Sequence, residues 1–243
     1  MKISISQLIG AKLIKKLFSI FCILFFTFII LPRYIFDNSE TIKVVGRDTI
    51  KYDLVIPVNF DEFKDLLHQK EFFQKYINFN NIIIIAPDKI KEPDNLKKII
   101  IIKEDSLVPK SSLINLFAKR GITEYKRLGW YEQQFLKMAY SRVCKNDYYL
   151  IWDSDTFPVK PVQMFEKGSP IFDMKTEHHS AYFTTINRLI PKLHFSKFSY
   201  ISEHMLVKTE YMKNILSDIE HNSNISGNMF WEKIKAFLKS YVN

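Results

Sequence analysis

The sequence predicts an α/β domain built on a largely parallel sheet. Short apolar segments rich in β-branched and aromatic residues alternate with segments of helical periodicity, which is typical of this class. The strand-like segments are apolar on both alternate faces, as expected for strands that helices cover on both sides. With 243 residues, of which 47% are hydrophobic, the chain can form one good-sized packed domain.

The N-terminal segment predicts a membrane anchor. From Leu17 to Pro32 there is no charged side chain, and three lysines precede this run at positions 12, 15 and 16. As a helix it spans roughly 24 Å, short of the ~30 Å bilayer core unless flanking residues and lysine stems extend it. The small residues of a signal-peptide cleavage site are missing, so we expect an uncleaved anchor. A helix lying flat in the interface remains the alternative.

Lysines before the apolar run favour a cytoplasmic N-terminus. The predicted organisation is therefore a cytoplasmic tail, transmembrane signal anchor and stem in residues 1–40, followed by one domain in residues 41–243. The chain is expected to be a single-pass membrane protein whose C-terminal domain is lumenal or extracytoplasmic.

Four segments of the domain fit buried strands, and helical patterns separate and follow them. The predicted strands are residues 52–58 (YDLVIPV), 81–87 (NIIIIAP), 97–102 (KKIIII) and 148–152 (YYLIW). Asp61 is the expected N-cap of the first helix, and Ser111 or Ser112 that of the second, which Gly121 closes. Apolar stripes at helical spacing predict three further helices, at residues 130–143, 209–220 and 230–241.

Charge and cysteine content exclude several classes of protein. The formal net charge is +9, but the lysines are scattered among acidic residues and form no basic stripe with stacking aromatics, so a nucleic-acid partner is not expected. Cys22 and Cys144 are the only cysteines. They are too few for a disulfide framework or a cysteine-based zinc site.

Two aspartates stand at the end of the fourth predicted strand. Asp153 and Asp155 directly follow Trp152, with only Ser154 between them. Ligands of open α/β sheets bind beyond the carboxyl ends of the strands. Carboxylates this close repel each other, so Mn²⁺ or Mg²⁺, which also binds nucleotide phosphates, is their expected partner. A solvated turn is the alternative, because Asp and Ser are common in turns.

Four segments, in this order, resemble GT-A-type nucleotide-sugar glycosyltransferases: LVIPVNFDEF, RLGWYEQQFLKMAYSRV, YYLIWDSDTFPVKPV and FSYISEHMLV. The resemblance spans roughly residues 52–220. It implies a Rossmann-like GT-A fold and a metal-dependent transfer of sugar from a nucleotide-sugar donor to a glycan or lipid-linked acceptor. On this resemblance, Asp155 ligates the metal directly, and Asp153 contacts the ribose or reaches the metal through water.

Three amide side chains are candidates for binding the donor. Asn59 directly follows the first strand, where it can bond the base or ribose of a nucleotide or cap the next helix. Gln133 and Gln134 are adjacent on one helix and cannot both face its core. One is expected to point to the site or pin a loop and the other to be solvated, and the resemblance keeps both as candidates.

Glu203 and His204 are the candidate catalytic pair. Glu203 is the preferred general base for the acceptor hydroxyl, and His204 is a candidate third metal ligand. The alternative is a loop whose polar residues cap the helix that begins near Thr209.

Two other functions remain open on the sequence. A haloacid-dehalogenase-type phosphatase also places Asp-x-Asp after a strand, but Phe157 stands where its pattern requires Thr or Val. Relatives of the GT-A type usually continue into further acceptor-site elements, so the chain is expected to be a short or truncated member. A catalytically inactive, membrane-anchored protein that binds nucleotide sugars or glycans is therefore the main alternative.

Overall fold

The computed structural model describes residues 50–90, 98–118, 125–174, 180–191, 193 and 202–238. The predicted anchor and the predicted boundary at residue 41 lie outside this part of the chain. No helix within these ranges is long and apolar enough to cross a bilayer.

A five-stranded, mainly parallel sheet forms the centre of the domain, which confirms the predicted α/β class. The strands of the described ranges are β1 (Tyr52–Pro57), β2 (Ile82–Ala86), β3 (Ile99–Lys103), β4 (Tyr148–Trp152), β5 (Phe165–Glu166), β6 (Ser169–Pro170) and β7 (His204–Lys208). The order in the central sheet is β3-β2-β1-β4-β7, with β7 antiparallel to β4 and the other pairs parallel, while β5 and β6 form a separate ribbon.

Helices follow most of the strands in the described ranges. They are α1 (Phe60–Tyr76), α2 (Glu104–Leu107), α3 (Lys110–Ala118), α4 (Tyr125–Ala139), α5 (Ser180–Leu189), α6 (Thr209–His221) and α7 (Phe230–Leu238), and a 3₁₀ turn (Tyr140–Arg142) continues α4.

Two apolar clusters lie on opposite faces of the sheet. Val55 and Ile151 belong to the same cluster as Phe135 of α4, whereas Leu54 belongs to that of Phe73 of α1. Alternate strand residues thus face different helices, as the side-chain period of two requires. Each such side chain stabilises the fold by roughly 1.5–3 kcal/mol through its burial.

The predicted strands are confirmed within one or two residues, but one prediction of burial is wrong. All residues of β1 and β2 are buried, as expected for covered strands. In β3, Ile100 is 46% exposed. The reason is that β3 is the edge strand, which its composition alone does not show.

Three predictions about element boundaries need correction. The N-cap of α1 is Asn59 and not Asp61, because the Asn59 side chain accepts the free backbone N–H groups of the first turn. Helix α3 begins at Lys110, ahead of both candidate capping serines. The segment from His204 is a strand rather than a capping loop, because it pairs with β4.

The chain order creates a topological switch point between β1 and β4. From β1 the chain goes to β2 and β3 on one side, and β4 then pairs with β1 on the other. Loops leaving the carboxyl ends of β1 and β4 turn in opposite directions, which leaves a crevice between them.

Candidate functional site

The two aspartates lie at the carboxyl end of β4, beside the switch point. Trp152 is the last residue of β4, and the backbone N–H of Asp153 donates to the carbonyl of Glu203 at 3.0 Å, which continues the β4–β7 pairing by one step. The Trp152 indole N–H donates to the Thr156 carbonyl at 3.1 Å. The loop that carries Asp155 is therefore held against its own strand.

Asp153 is paired with a buried lysine. The Lys137 ammonium of α4 donates to Asp153 Oδ1. The lysine side chain is 6% exposed and that of Asp153 is 36% exposed, so the pair reaches from the core to the surface of the site. Sequence reasoning missed Lys137, although a lysine in the apolar series Phe135–Ala139 was a usable signal.

Asp155 is exposed, and none of the described residues forms a hydrogen bond or ion pair with its side chain. Between the aspartates, Ser154 is buried and its hydroxyl donates to Glu62 Oε2 at 2.8 Å. The loop thus places one carboxylate in an ion pair, leaves the other to solvent, and turns the residue between them inward.

Asn59 lies across the switch point and serves as a helix cap. Its Oδ1 accepts hydrogen bonds from the backbone N–H groups of Asp61 and Glu62, both at 2.9 Å. The backbone N–H of Asn59 donates to Glu62 Oε2 at 3.0 Å. This is a capping box. Because Glu62 also accepts a hydrogen bond from Ser154, the first turn of α1 is bonded to the loop after β4.

The antiparallel β7 brings Glu203 and His204 beside Asp153. His204 is opposite Trp152 in the strand register, and the two rings stack with centroids 4.6 Å apart. The His204 Nε2 lies 3.6 Å from Asp173 Oδ2. The Glu203 side chain is exposed. The structure therefore places both candidates at the same edge of the sheet as the two aspartates.

Gln133 and Gln134 lie on α4, one turn before Lys137. Residues three and four apart share a helix face, so both can approach the side of the helix that carries the lysine. Gln134 is buried and Gln133 is half-buried, which means that the expectation of one solvated glutamine is not met.

A second charged cluster lies at the carboxyl end of β3. Lys110 is 2.9 Å from a Glu104 oxygen and 3.0 Å from a Glu132 oxygen, and both glutamates are buried. Burial raises the pKa of Glu132, and the Lys110 hydrogen bond only partly opposes this. Burial alone would lower the pKa of Lys110, but hydrogen bonds to both carboxylates raise it above its usual range.

The described residues contain no group of three or more His, Cys, Asp or Glu side chains arranged to hold a metal ion. Mg²⁺ in phosphate-binding sites is commonly held by one or two carboxylates together with substrate phosphates. The exposed carboxylate of Asp155 fits that mode of binding, whereas the Oδ1 of Asp153 is already engaged by Lys137.

A comparison with protein-family models matches residues 58–232 to a family of unknown function, DUF6492. The chain belongs to DUF6492. The matched DUF6492 region contains every candidate site residue named above, from Asn59 to His204. No curated protein matches this member of DUF6492.

Solved structures give a distant likeness. One is the galactosyltransferase LgtC in complex with donor and acceptor sugar analogues, with 10% sequence identity and a TM-score of 0.41. The match covers 77% of this chain and 71% of that chain. A likeness at this level is too distant to decide the activity of a DUF6492 protein.

Proposed function

We propose that this protein is a metal-dependent glycosyltransferase that moves a sugar from a nucleotide-sugar donor to a glycan or lipid-linked acceptor. The observation that carries the proposal is the position of Asp153 and Asp155 at the carboxyl end of β4, next to the switch point. The order of the four sequence segments that resemble GT-A enzymes supports the same function.

The donor's diphosphate explains why an acidic loop would serve this reaction. The carboxylates alone would repel it, so a divalent cation on Asp155 is needed to join the two. Bound Mn²⁺ or Mg²⁺ would act as a Lewis acid on the leaving diphosphate. Asp153, held by Lys137, would accept a hydrogen bond from a donor hydroxyl.

The remaining candidates have defined roles in the proposal. Glu203 is the general base for the acceptor hydroxyl, since it is exposed and its backbone pairs with that of Asp153. His204 stacks on Trp152 and so supports the end of β4 that carries the aspartates. Asn59 organises the start of α1, and Gln133 and Gln134 approach the donor from α4.

The proposed setting is the far side of a membrane. The apolar run at residues 17–32 anchors the chain, with its N-terminus in the cytoplasm and its domain in an extracytoplasmic or lumenal space. Protease treatment of sealed vesicles tests this, because the domain should be protected until detergent is added.

Ligand-dependent thermal stability of the full chain in detergent tests the function. Uridine and guanosine diphosphates and their sugar conjugates should raise the melting temperature only when Mn²⁺ or Mg²⁺ is present, since a ligand of the folded state stabilises it. Asp155→Asn should abolish the shift. Asp147→Asn is the matched control, because Asp147 is also exposed but lies at the other end of β4.

Three outcomes separate the candidate functions. Cation-dependent release of free nucleoside diphosphate from a sugar nucleotide supports the transferase. Cation-dependent binding without release indicates the inactive binding protein. Phosphate release from a simple monoester indicates a phosphatase, and an equal response in wild type and Asp155→Asn refutes the proposed site.

A further inference from the structure

Lys137 is a buried cation whose place is determined by β4. The fully buried Tyr149 hydroxyl donates to the Lys137 backbone carbonyl at 3.2 Å. Tyr149, Ile151 and Asp153 alternate along the chain, so they face the same side of the sheet. The lysine is therefore fixed at its backbone by the start of β4, while its ammonium bonds the aspartate that follows the strand.

Burying this ammonium is costly without a compensating partner, because an isolated buried charge loses its hydration. Asp153 provides that partner through Oδ1. With 6% of its side chain exposed, Lys137 is too well covered to contact a ligand itself. Any influence on the site must pass through Asp153, whose side chain remains 36% exposed.

The pair also changes the charge of the acidic loop. Asp153 and Asp155 are two residues apart, so their carboxylates repel each other. Lys137 compensates Asp153, whereas the described residues give Asp155 no ion pair. The two aspartates of one motif are therefore electrostatically different.

We propose that Lys137 is a positioning residue that assigns separate roles to the two aspartates. It holds Asp153 as an oriented acceptor for a ligand hydroxyl and keeps it from the cation, so that Asp155 alone binds the cation. This inference rests on the proposed nucleotide-sugar function. It adds the residue that makes Asp153 the hydroxyl acceptor and Asp155 the cation ligand.

Lys137→Met tests the proposal by removing the ammonium while keeping an apolar stem of similar length. Because Asp153 is partly exposed, water can solvate the released carboxylate, and the variant should fold. Both carboxylates then become available to a cation. Mn²⁺ alone should bind roughly tenfold more tightly than to wild type, given the added negative charge at short range.

Nucleotide binding should change in the opposite direction. Measured at a Mn²⁺ concentration that saturates both proteins, uridine and guanosine diphosphates should bind Lys137→Met more weakly than wild type. Wild type should prefer them over their 2′,3′-dideoxy analogues, and Lys137→Met should lose this preference because Asp153 is no longer oriented. Titration calorimetry measures both ligands on the same protein.

Lys233→Met is the matched control. Lys233 is equally buried, but its ammonium donates to the Asn222 carbonyl at 2.7 Å, at the end of α6. This variant should lose stability without separating metal affinity from nucleotide affinity. Should Lys137→Met not fold, Lys137→Gln replaces it, since its amide can bond Asp153 without a charge; tighter Mn²⁺ binding is again expected.

The result identifies which idea fails. If wild type binds neither Mn²⁺ nor the diphosphates, the proposed function and this inference both fall. If wild type binds them but Lys137→Met shows unchanged or equally weakened affinities for both ligands, Lys137 is only structural. The positioning role is then refuted while the proposed function stands.

Discussion

A buried carboxylate at the amino end of β1 provides the sharpest stability test. Asp53 is 6% exposed and accepts hydrogen bonds from Asn81 Nδ2 at 3.1 Å, Tyr140 Oη at 3.0 Å and Asn146 Nδ2 at 2.6 Å. These donors precede β2, follow α4 and precede β4. The carboxylate therefore joins four parts of the chain at the end of the sheet opposite the candidate site.

Asp53→Ala should destabilise the domain by about 4 kcal/mol. Each hydrogen bond to a charged group contributes about 1.5–3 kcal/mol, but the three losses do not simply add. The half-buried Asn81 and Asn146 can recover water, whereas the buried Tyr140 hydroxyl keeps only the Cys144 thiol, a weak hydrogen-bond partner. For a domain of this size, the melting temperature should fall by roughly 10 °C.

Urea denaturation followed by tryptophan fluorescence measures the loss in free energy of unfolding. A double-mutant cycle with Tyr140→Phe should give a coupling energy of about 1–2 kcal/mol for that hydrogen bond. Asp147→Ala, an exposed aspartate at the same end of the sheet, should change stability by less than about 0.5 kcal/mol. A loss below about 1 kcal/mol for Asp53→Ala, or no coupling, would show that the network does not hold these segments together.

Four further substitutions have defined outcomes. Because burial raises the pKa of Glu132, its ionisation costs stability, so the stability of Glu132→Gln relative to wild type should increase as the pH rises above about 4.5 in urea titrations. Gly227→Ala should cost about 2 kcal/mol in the same assay, since Gly227 has φ +118° and an added Cβ would lie 2.8 Å from a side-chain carbon of α7. Gly129 lies in α4, and a Cβ added there would meet no atom within 4 Å beyond the helix's own backbone. Gly129→Ala should therefore stabilise the domain by about 0.5–1 kcal/mol. Asn59→Ala should cost about 1 kcal/mol by thermal melting without ligand, because the cap of α1 is lost.

Each of these has an outcome that would contradict it. A constant difference across pH would mean that Glu132 ionises freely in the folded protein. Equal effects at the two glycines would contradict the conformational argument for Gly227. No loss of stability in Asn59→Ala would mean that the capping bonds contribute nothing, and would favour a ligand role alone.

The sequence located the strands and the acidic loop because those signals are local. β-branched runs, their lengths and the polar residues that end them are read within a few positions, and the observed β1, β2 and β4 agree with them. The same local view failed for β3, whose exposure depends on its place at the edge, and for β7, whose pairing partner lies far away in the chain.

The candidate site shows the same division. That Asp153 and Asp155 follow a buried strand was predicted from the sequence alone, because the apolar run ends at Trp152. The sequence did not show that Lys137, 16 residues away, pairs with Asp153. It also did not show that Ser154 bonds Glu62, 92 residues away. Strand order and the face on which each helix packs decide such contacts. They depend on the free energy of the whole packed domain, which no short stretch of sequence carries.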